Sequence, residues 1–119
     1  MHHIRVLIAD DRHSSRNGLK ALLATQPGIE IVGETADGQE VIQFVEQCRP
    51  DVVLMDVRMP LIDGLEATRI IKDRWPEVKV IVLTMYSTHQ AEVLAAGADA
   101  FLVKGCPAED LLEAILQET

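Results

Sequence analysis

Residues 52–66 read VVLMDVRMPLIDGLE, and this stretch decides the fold. Val52 to Met55 is an unbroken apolar run of strand length, as expected for a strand covered on both faces. Asp56 closes the run, where a carboxylate abuts buried chain and is costly without a partner. After a loop containing Pro60, Asp63 and Glu66 have the spacing of an acidic N-cap followed by a reciprocal Glu at N3, so a helix opens there. A strand, a short loop and a helix make one βα unit.

The same unit recurs in both directions along the chain. Further strands are read at Ile4 to Ala9, Ile29 to Glu34, Val80 to Leu83 and Ala100 to Val103. Leu19, Leu22 and Leu23 mark the core stripe of a first helix, and Val41, Phe44, Val45 and Cys48 that of a second, which Asp37 and Glu40 open with the same capping spacing. Gly97 is expected at C′ of the fourth helix. Pro107 is expected at N1 of the fifth, ahead of Glu109, Asp110 and the apolar Leu111, Leu112, Ile115 and Leu116. Alternating strands and helices predict an α/β fold, a three-layer (βα)5 sandwich around a buried parallel sheet. Loops are short and there is no linker or repeat, so residues 1–119 are expected to form one domain.

Composition narrows the function classes. The chain has 119 residues, 48% of them hydrophobic, and a formal net charge of -8. Binding nucleic acid through its own surface would need clustered Lys and Arg, so that class is disfavoured and an acidic cation site fits better. Cys48 and Cys106 form no CxxC pair; neither a disulfide framework nor a zinc site is indicated, and a reducing, cytoplasmic setting is expected. No apolar run approaches the roughly 18 residues of a membrane span, and the start MHHIRVLIADD lacks a signal-peptide shape, so no membrane association is expected. His2 and His3 are read as incidental surface residues.

In a parallel sheet, residues just past the C-terminal strand ends gather along one edge. Asp10 and Asp11 follow the first strand, Asp56 the third, Thr84 the fourth and Lys104 the fifth. With strand order 2-1-3-4-5 the first and third strands are neighbours, and the crevice between them is the switch point where such folds bind ligands. Three Asp side chains there repel unless protonated or bridged by a cation, and hard oxygen ligands suit Mg²⁺. Asp56 is then a candidate nucleophile, with Lys104 neutralising charge on phosphoryl oxygens and Thr84 donating its hydroxyl. Taken singly, an Asp-Asp pair is a cap or turn element, Thr84 a strand-end hydroxyl and Lys104 a solvated rim charge. Their conjunction on four strand ends favours a site.

The segments VLIADD, VVLMDVRMPLIDGLEA, VIVLT and AGADAFLVK resemble the acidic pair, phosphoacceptor loop, hydroxyl strand and lysine strand of response-regulator receiver domains, over nearly the whole chain. The resemblance implies a flavodoxin-like fold and a phosphoacceptor module of a two-component phosphorelay. Asp56 would take a phosphoryl group from a sensor histidine kinase in a Mg²⁺-dependent reaction. Asp11 would bind Mg²⁺ directly, Asp10 mostly through water, and the Arg58 backbone carbonyl would complete the protein ligands, with Pro60 and Gly64 shaping the loop. Thr84 and Phe101 would form a switch pair; without a phenolic hydroxyl, Phe101 would signal through packing. Arg58 and Tyr86 occupy positions that influence dephosphorylation. Such a module catalyses only its own phosphorylation and dephosphorylation and is not an enzyme in the ordinary sense. GADAFLVK followed by PAEDLLEAI is similar to receivers joined to a NarL/FixJ/LuxR-type helix-turn-helix, which implies DNA binding through a separate C-terminal domain and a homodimer on phosphorylation.

Two departures from the family pattern stand out. Thr84 to Lys104 is about two residues short, so the fourth helix is expected to be truncated or shifted. Lys104 is followed by Gly105 rather than Pro, where a cis bond would cost roughly 3 kcal/mol. Among other functions, an aspartyl-phosphate phosphohydrolase normally has a second Asp where this chain has Arg58. A flavin-binding protein needs a Ser/Thr/Gly-rich phosphate loop where this chain has Asp10, Asp11 and Arg12. A degenerate receiver used only for protein contacts would not need the full acidic set.

Overall fold

The computed structural model describes residues 3–117; His2 lies outside the described residues. The chain runs β1 (Ile4–Ala9), α1 (His13–Leu23), β2 (Ile29–Thr35), α2 (Gly38–Cys48), β3 (Val52–Met55), α3 (Gly64–Arg74), β4 (Lys79–Thr84), a 3-10 turn (Ser87–His89), α4 (Gln90–Ala95), β5 (Ala100–Val103) and α5 (Ala108–Leu116). All strand pairs are parallel, in the order β2-β1-β3-β4-β5.

Strand alternation sorts the side chains into two cores. Leu7, Ala9, Val53, Met55, Val80 and Val82 face α2, α3 and α4, where Val41, Val45, Ala67, Ile71 and Val93 meet them. Val6, Ile8, Val52, Leu54, Ile81 and Leu83 face α1 and α5, against Leu23, Leu111 and Ile115. The central strands β1, β3 and β4 are the buried ones; β2 and β5 form the edges and stay partly accessible.

The caps follow local chemistry. Asp37 and Asp63 accept the Glu40 and Glu66 amides at 2.8 and 2.9 Å. Glu40 reaches back to the Ala36 amide, one residue earlier than the reciprocal arrangement requires, and Glu66 instead pairs with Arg69. Gly97 takes a φ of 96° at the end of α4. Its amide donates to Leu94 O and that of Ala98 to Val93 O, a Schellman closure.

Several sequence expectations shift. Thr84 is the last residue of β4 rather than the residue after it, and β4 starts at Lys79. Pro107 is the N-cap of α5, not N1; with ψ of 141° it stands outside the helix and its carbonyl receives the Asp110 amide. Cys48 is exposed at the end of α2, where its carbonyl accepts from Arg5, so the buried stripe ends at Val45. The fourth helix is short, as its shortened sequence requires: six residues of α-helix behind a single 3-10 turn. The Lys104–Gly105 peptide is trans.

Candidate functional site

Strand geometry brings the acidic groups together. The Asp10 amide donates to Thr35 O and the Asp56 amide to Ala9 O, so both residues are held as extensions of the sheet at the ends of β1 and β3. Asp10 and Asp56 are buried, whereas Asp11, one residue on, points to solvent. Each of the three offers a carboxylate oxygen, and these oxygens lie within 4.8 Å of one another.

The Lys104 ammonium enters from the end of β5. Its Nζ stands 2.6 Å from Asp10 Oδ2, 3.4 Å from Asp56 Oδ2 and 3.3 Å from Ser15 Oγ. An ammonium has three N–H donors, and all three have a partner here. The remaining carboxylate oxygens are met by backbone: Arg12 N donates to Asp10 Oδ1 and Val57 N to Asp56 Oδ1. Burial pushes the Asp56 carboxyl above its ordinary range; the Lys104 ammonium pulls against it, and the Asp10 charge adds to the rise.

Three carboxylates beside one ammonium leave a negative excess that a divalent cation would balance. The donor set consists of hard oxygens, with one carboxylate open to water, and so fits Mg²⁺. A cleft of about 130 Å³ opens over the group, walled by Asp11, Arg12, Arg58, Thr84, Tyr86 and Lys104. At its mouth the Arg58 guanidinium stacks on the Tyr86 ring, 5.3 Å from the centroid.

The loop after Asp56 is fixed by close packing on α3. A Cβ on Gly64 would stand 1.9 Å from Asp56 O, and the Gly64 amide donates to Val57 O. Only glycine lets the helix start this close to the strand end. Thr84 Oγ1 is buried and accepts the Tyr86 amide at 3.4 Å rather than contacting Asp56. Phe101, in register with Val82, is half-buried against the α2/α3/α4 core and does not line the cleft. The structure thus gathers Asp10, Asp11, Asp56, Thr84 and Lys104 at one rim with Arg58 and Tyr86 above, and leaves Phe101 at one side.

Sequence reading missed Ser15 and Arg16. The signal was a polar pair one turn into a helix whose later positions are leucines, which by itself reads as a solvated face.

Residues 6–116 match the response regulator receiver domain family, and the chain belongs to it. It is 40% identical over 114 residues to the transcriptional regulatory protein DegU of Brevibacillus brevis, covering 94% of this chain and 48% of that protein. Among solved structures, it is similar to the signal receiver domain of the response regulator NarL from Mycobacterium tuberculosis, with a TM-score of 0.91, 26% identity and coverage of 98% and 95% of the two chains. The LuxR-family DNA-binding response regulator from Staphylococcus aureus superposes with a TM-score of 0.88, 27% identity and coverage of 94% and 95%. The sequence is therefore that of a receiver domain of the NarL/LuxR type, a class homologous to transcriptional regulators with DNA-binding output domains. The chain spans about half the length of the curated relatives it matches. Receiver domains bind Mg²⁺ at an acidic pocket, and this chain carries an acidic cluster at the corresponding sheet edge.

Proposed function

We propose that the chain is a phosphoacceptor unit in which Asp56 receives the phosphoryl group. The carrying observation is the Lys104 ammonium lodged between Asp10 Oδ2 and Asp56 Oδ2. It opposes the burial that pushes the Asp56 carboxyl up, favouring the ionised nucleophile, and stands beside the place a phosphoryl oxygen would take. An Asp56 carboxylate oxygen attacks phosphorus, an O–P bond forms, and the bond to the donor atom breaks. The leaving group, the imidazole of a histidine kinase or the acetate of acetyl phosphate, departs with the electron pair.

Asp10, Asp11, Asp56 and the Arg58 carbonyl are the proposed Mg²⁺ ligands. When bound, the ion neutralises charge on the transferring group. Thr84 gives up its contact with the Tyr86 amide to donate to the phosphoryl group, and Phe101 repacks into the space released. The chain catalyses only its own phosphorylation and dephosphorylation. Its partners are a sensor histidine kinase, a second copy on phosphorylation, and DNA through a C-terminal output domain, all in the cytoplasm. The stacked Arg58 and Tyr86 shield the acyl phosphate from water.

Incubation with acetyl phosphate, followed by intact mass, tests this reading. One phosphoryl adduct that requires both Mg²⁺ and Asp56, absent in Asp56→Asn, is expected. No adduct despite Mg²⁺ binding would point to a degenerate receiver or to one that accepts the group only from its kinase. In the same assay, Arg58→Ala with Tyr86→Ala should shorten the adduct lifetime by about threefold to tenfold, about 1 kcal/mol of barrier; an unchanged lifetime would remove the shielding role.

A further inference from the structure

Asp11 has a singular position among the acidic residues. Asp10 and Asp56 are each fixed by an amide and by Lys104, but among the described residues no hydrogen bond or ion pair holds the Asp11 carboxylate. Its placement therefore depends on the backbone that carries it, and first of all on the Asp10–Asp11 peptide. That peptide leaves the sheet at Asp10, whose amide makes the last bond of the β1/β2 ladder. Its carbonyl would be an orphan.

Arg16 takes that carbonyl. One turn into α1, its Nη1 donates to Asp10 O at 2.6 Å, while its Nε is held by Glu34 Oε1 at 3.2 Å. The guanidinium is mostly buried, with 16% of its side chain exposed. Glu34 in turn receives Lys20 Nζ at 2.9 Å, and the Lys20 and Arg16 cations hold its carboxyl below the ordinary range. The guanidinium thus has three anchors: the end of β2 through Glu34, the first peptide past β1, and His13 Nδ1, 3.4 Å from its Nη2.

Resting on the reading of this site as a Mg²⁺-dependent phosphoacceptor centre, we infer that Arg16 is a positioning residue for the metal site, orienting the Asp11 carboxylate by clamping the Asp10 carbonyl. Glu34 has two parts in this. It fixes the fork of the guanidinium, and it neutralises a cation that would otherwise repel an incoming Mg²⁺. The planar fork matters, because a single ammonium at residue 16 cannot span the carbonyl and the carboxylate with the same geometry. Neither residue touches the reacting atoms.

Calorimetric Mg²⁺ titration of the wild type, Arg16→Met, Arg16→Lys and Glu34→Gln tests the inference. Partners of metal ligands are typically worth 10–100-fold in affinity, so Arg16→Met should weaken Mg²⁺ binding by about tenfold or more. Arg16→Lys should fall between it and the wild type, and Glu34→Gln should be weaker than wild type by about threefold. The Mg²⁺ concentration for half-maximal phosphorylation should move in parallel, while the rate at saturating Mg²⁺ returns to within about twofold of wild type. A general structural defect would instead lower the saturated rate and the melting temperature. Should Arg16→Met fail to fold, Arg16→Lys and Glu34→Gln decide. Wild-type affinity in every folded variant overturns the inference and leaves the phosphoacceptor reading intact. A wild-type chain that binds no Mg²⁺ overturns that reading, and the inference with it.

Discussion

At Asp56 two influences on one carboxyl oppose each other, and burial wins over the nearby ammonium. With the folded value raised above the unfolded one, the favourable contribution of Asp56 is fully present below the ordinary carboxyl range and is lost as pH rises through its folded value. Without metal, native stability is therefore lower at neutral pH than in acid on account of this one carboxyl. Asp56→Asn removes its charge at little change in volume. It should melt at a higher temperature than the wild type at about pH 7 in chelator, with the difference closing toward about pH 3, where both states carry the neutral acid. Melting curves across this range check the sign; a variant less stable at neutral pH would mean that the ion pair with Lys104 outweighs desolvation. Thr84 follows a different logic, since a buried hydroxyl that accepts only a long bond from the Tyr86 amide can be recruited elsewhere at small cost.

Elements meet this site with unequal tolerance, and two glycines measure it. Gly64 starts α3 against the Asp56 carbonyl, where a Cβ would have to displace backbone. Gly18 lies inside α1, and a Cβ there would meet nothing within 4 Å. Gly64→Ala should destabilise the domain by about 3 kcal/mol or more and disturb phosphorylation with it. Gly18→Ala should stabilise it by about 0.5–1 kcal/mol through helix propensity alone. Urea titrations measure both, and equal effects at the two positions would contradict the packing described. This scale also sets what was legible in sequence. Capping is a contact over three residues, so Asp37 and Asp63 marked their helices correctly. Cys48 was misplaced because apolar periodicity does not tell where a helix runs off the edge of the sheet. Pro107 was misplaced by one residue because N-cap and N1 both accept proline.

Across the whole molecule, the strand-end rule made most of the site readable in advance, since a parallel sheet lines up the ends of β1, β3, β4 and β5 whatever the intervening sequence. Arg16 and Ser15 escaped because their contacts depend on the phase of α1 over the sheet and on side-chain reach, which no spacing encodes. The acidic excess of the rim, on a chain of net charge -8, also predicts a global response to metal. Mg²⁺ at about 100 times its dissociation constant should stabilise the fold by about 2.7 kcal/mol through binding the native state alone. Denaturation with Mg²⁺ against Na⁺ at matched ionic strength separates this from simple screening of self-repulsion. A gain that survives in Asp11→Asn would assign it to diffuse charge rather than to the rim.

The strand order also has a temporal side. β1 lies between β2 and β3, and the Arg5 amide and Asp51 carboxylate joined at the start of the β1/β3 pairing are 46 residues apart. At translation rates of roughly 5–20 residues per second, β3 leaves the ribosome some 2–9 seconds after β1. β2 emerges only part-way through that interval, so until β3 follows, the segment IRVLIA has at most β2 beside it and at least one open edge. The nascent chain is therefore most open to misassociation before Asp56 has emerged, and the crossover that brings the three carboxylates together also sets how long that edge stays unpaired.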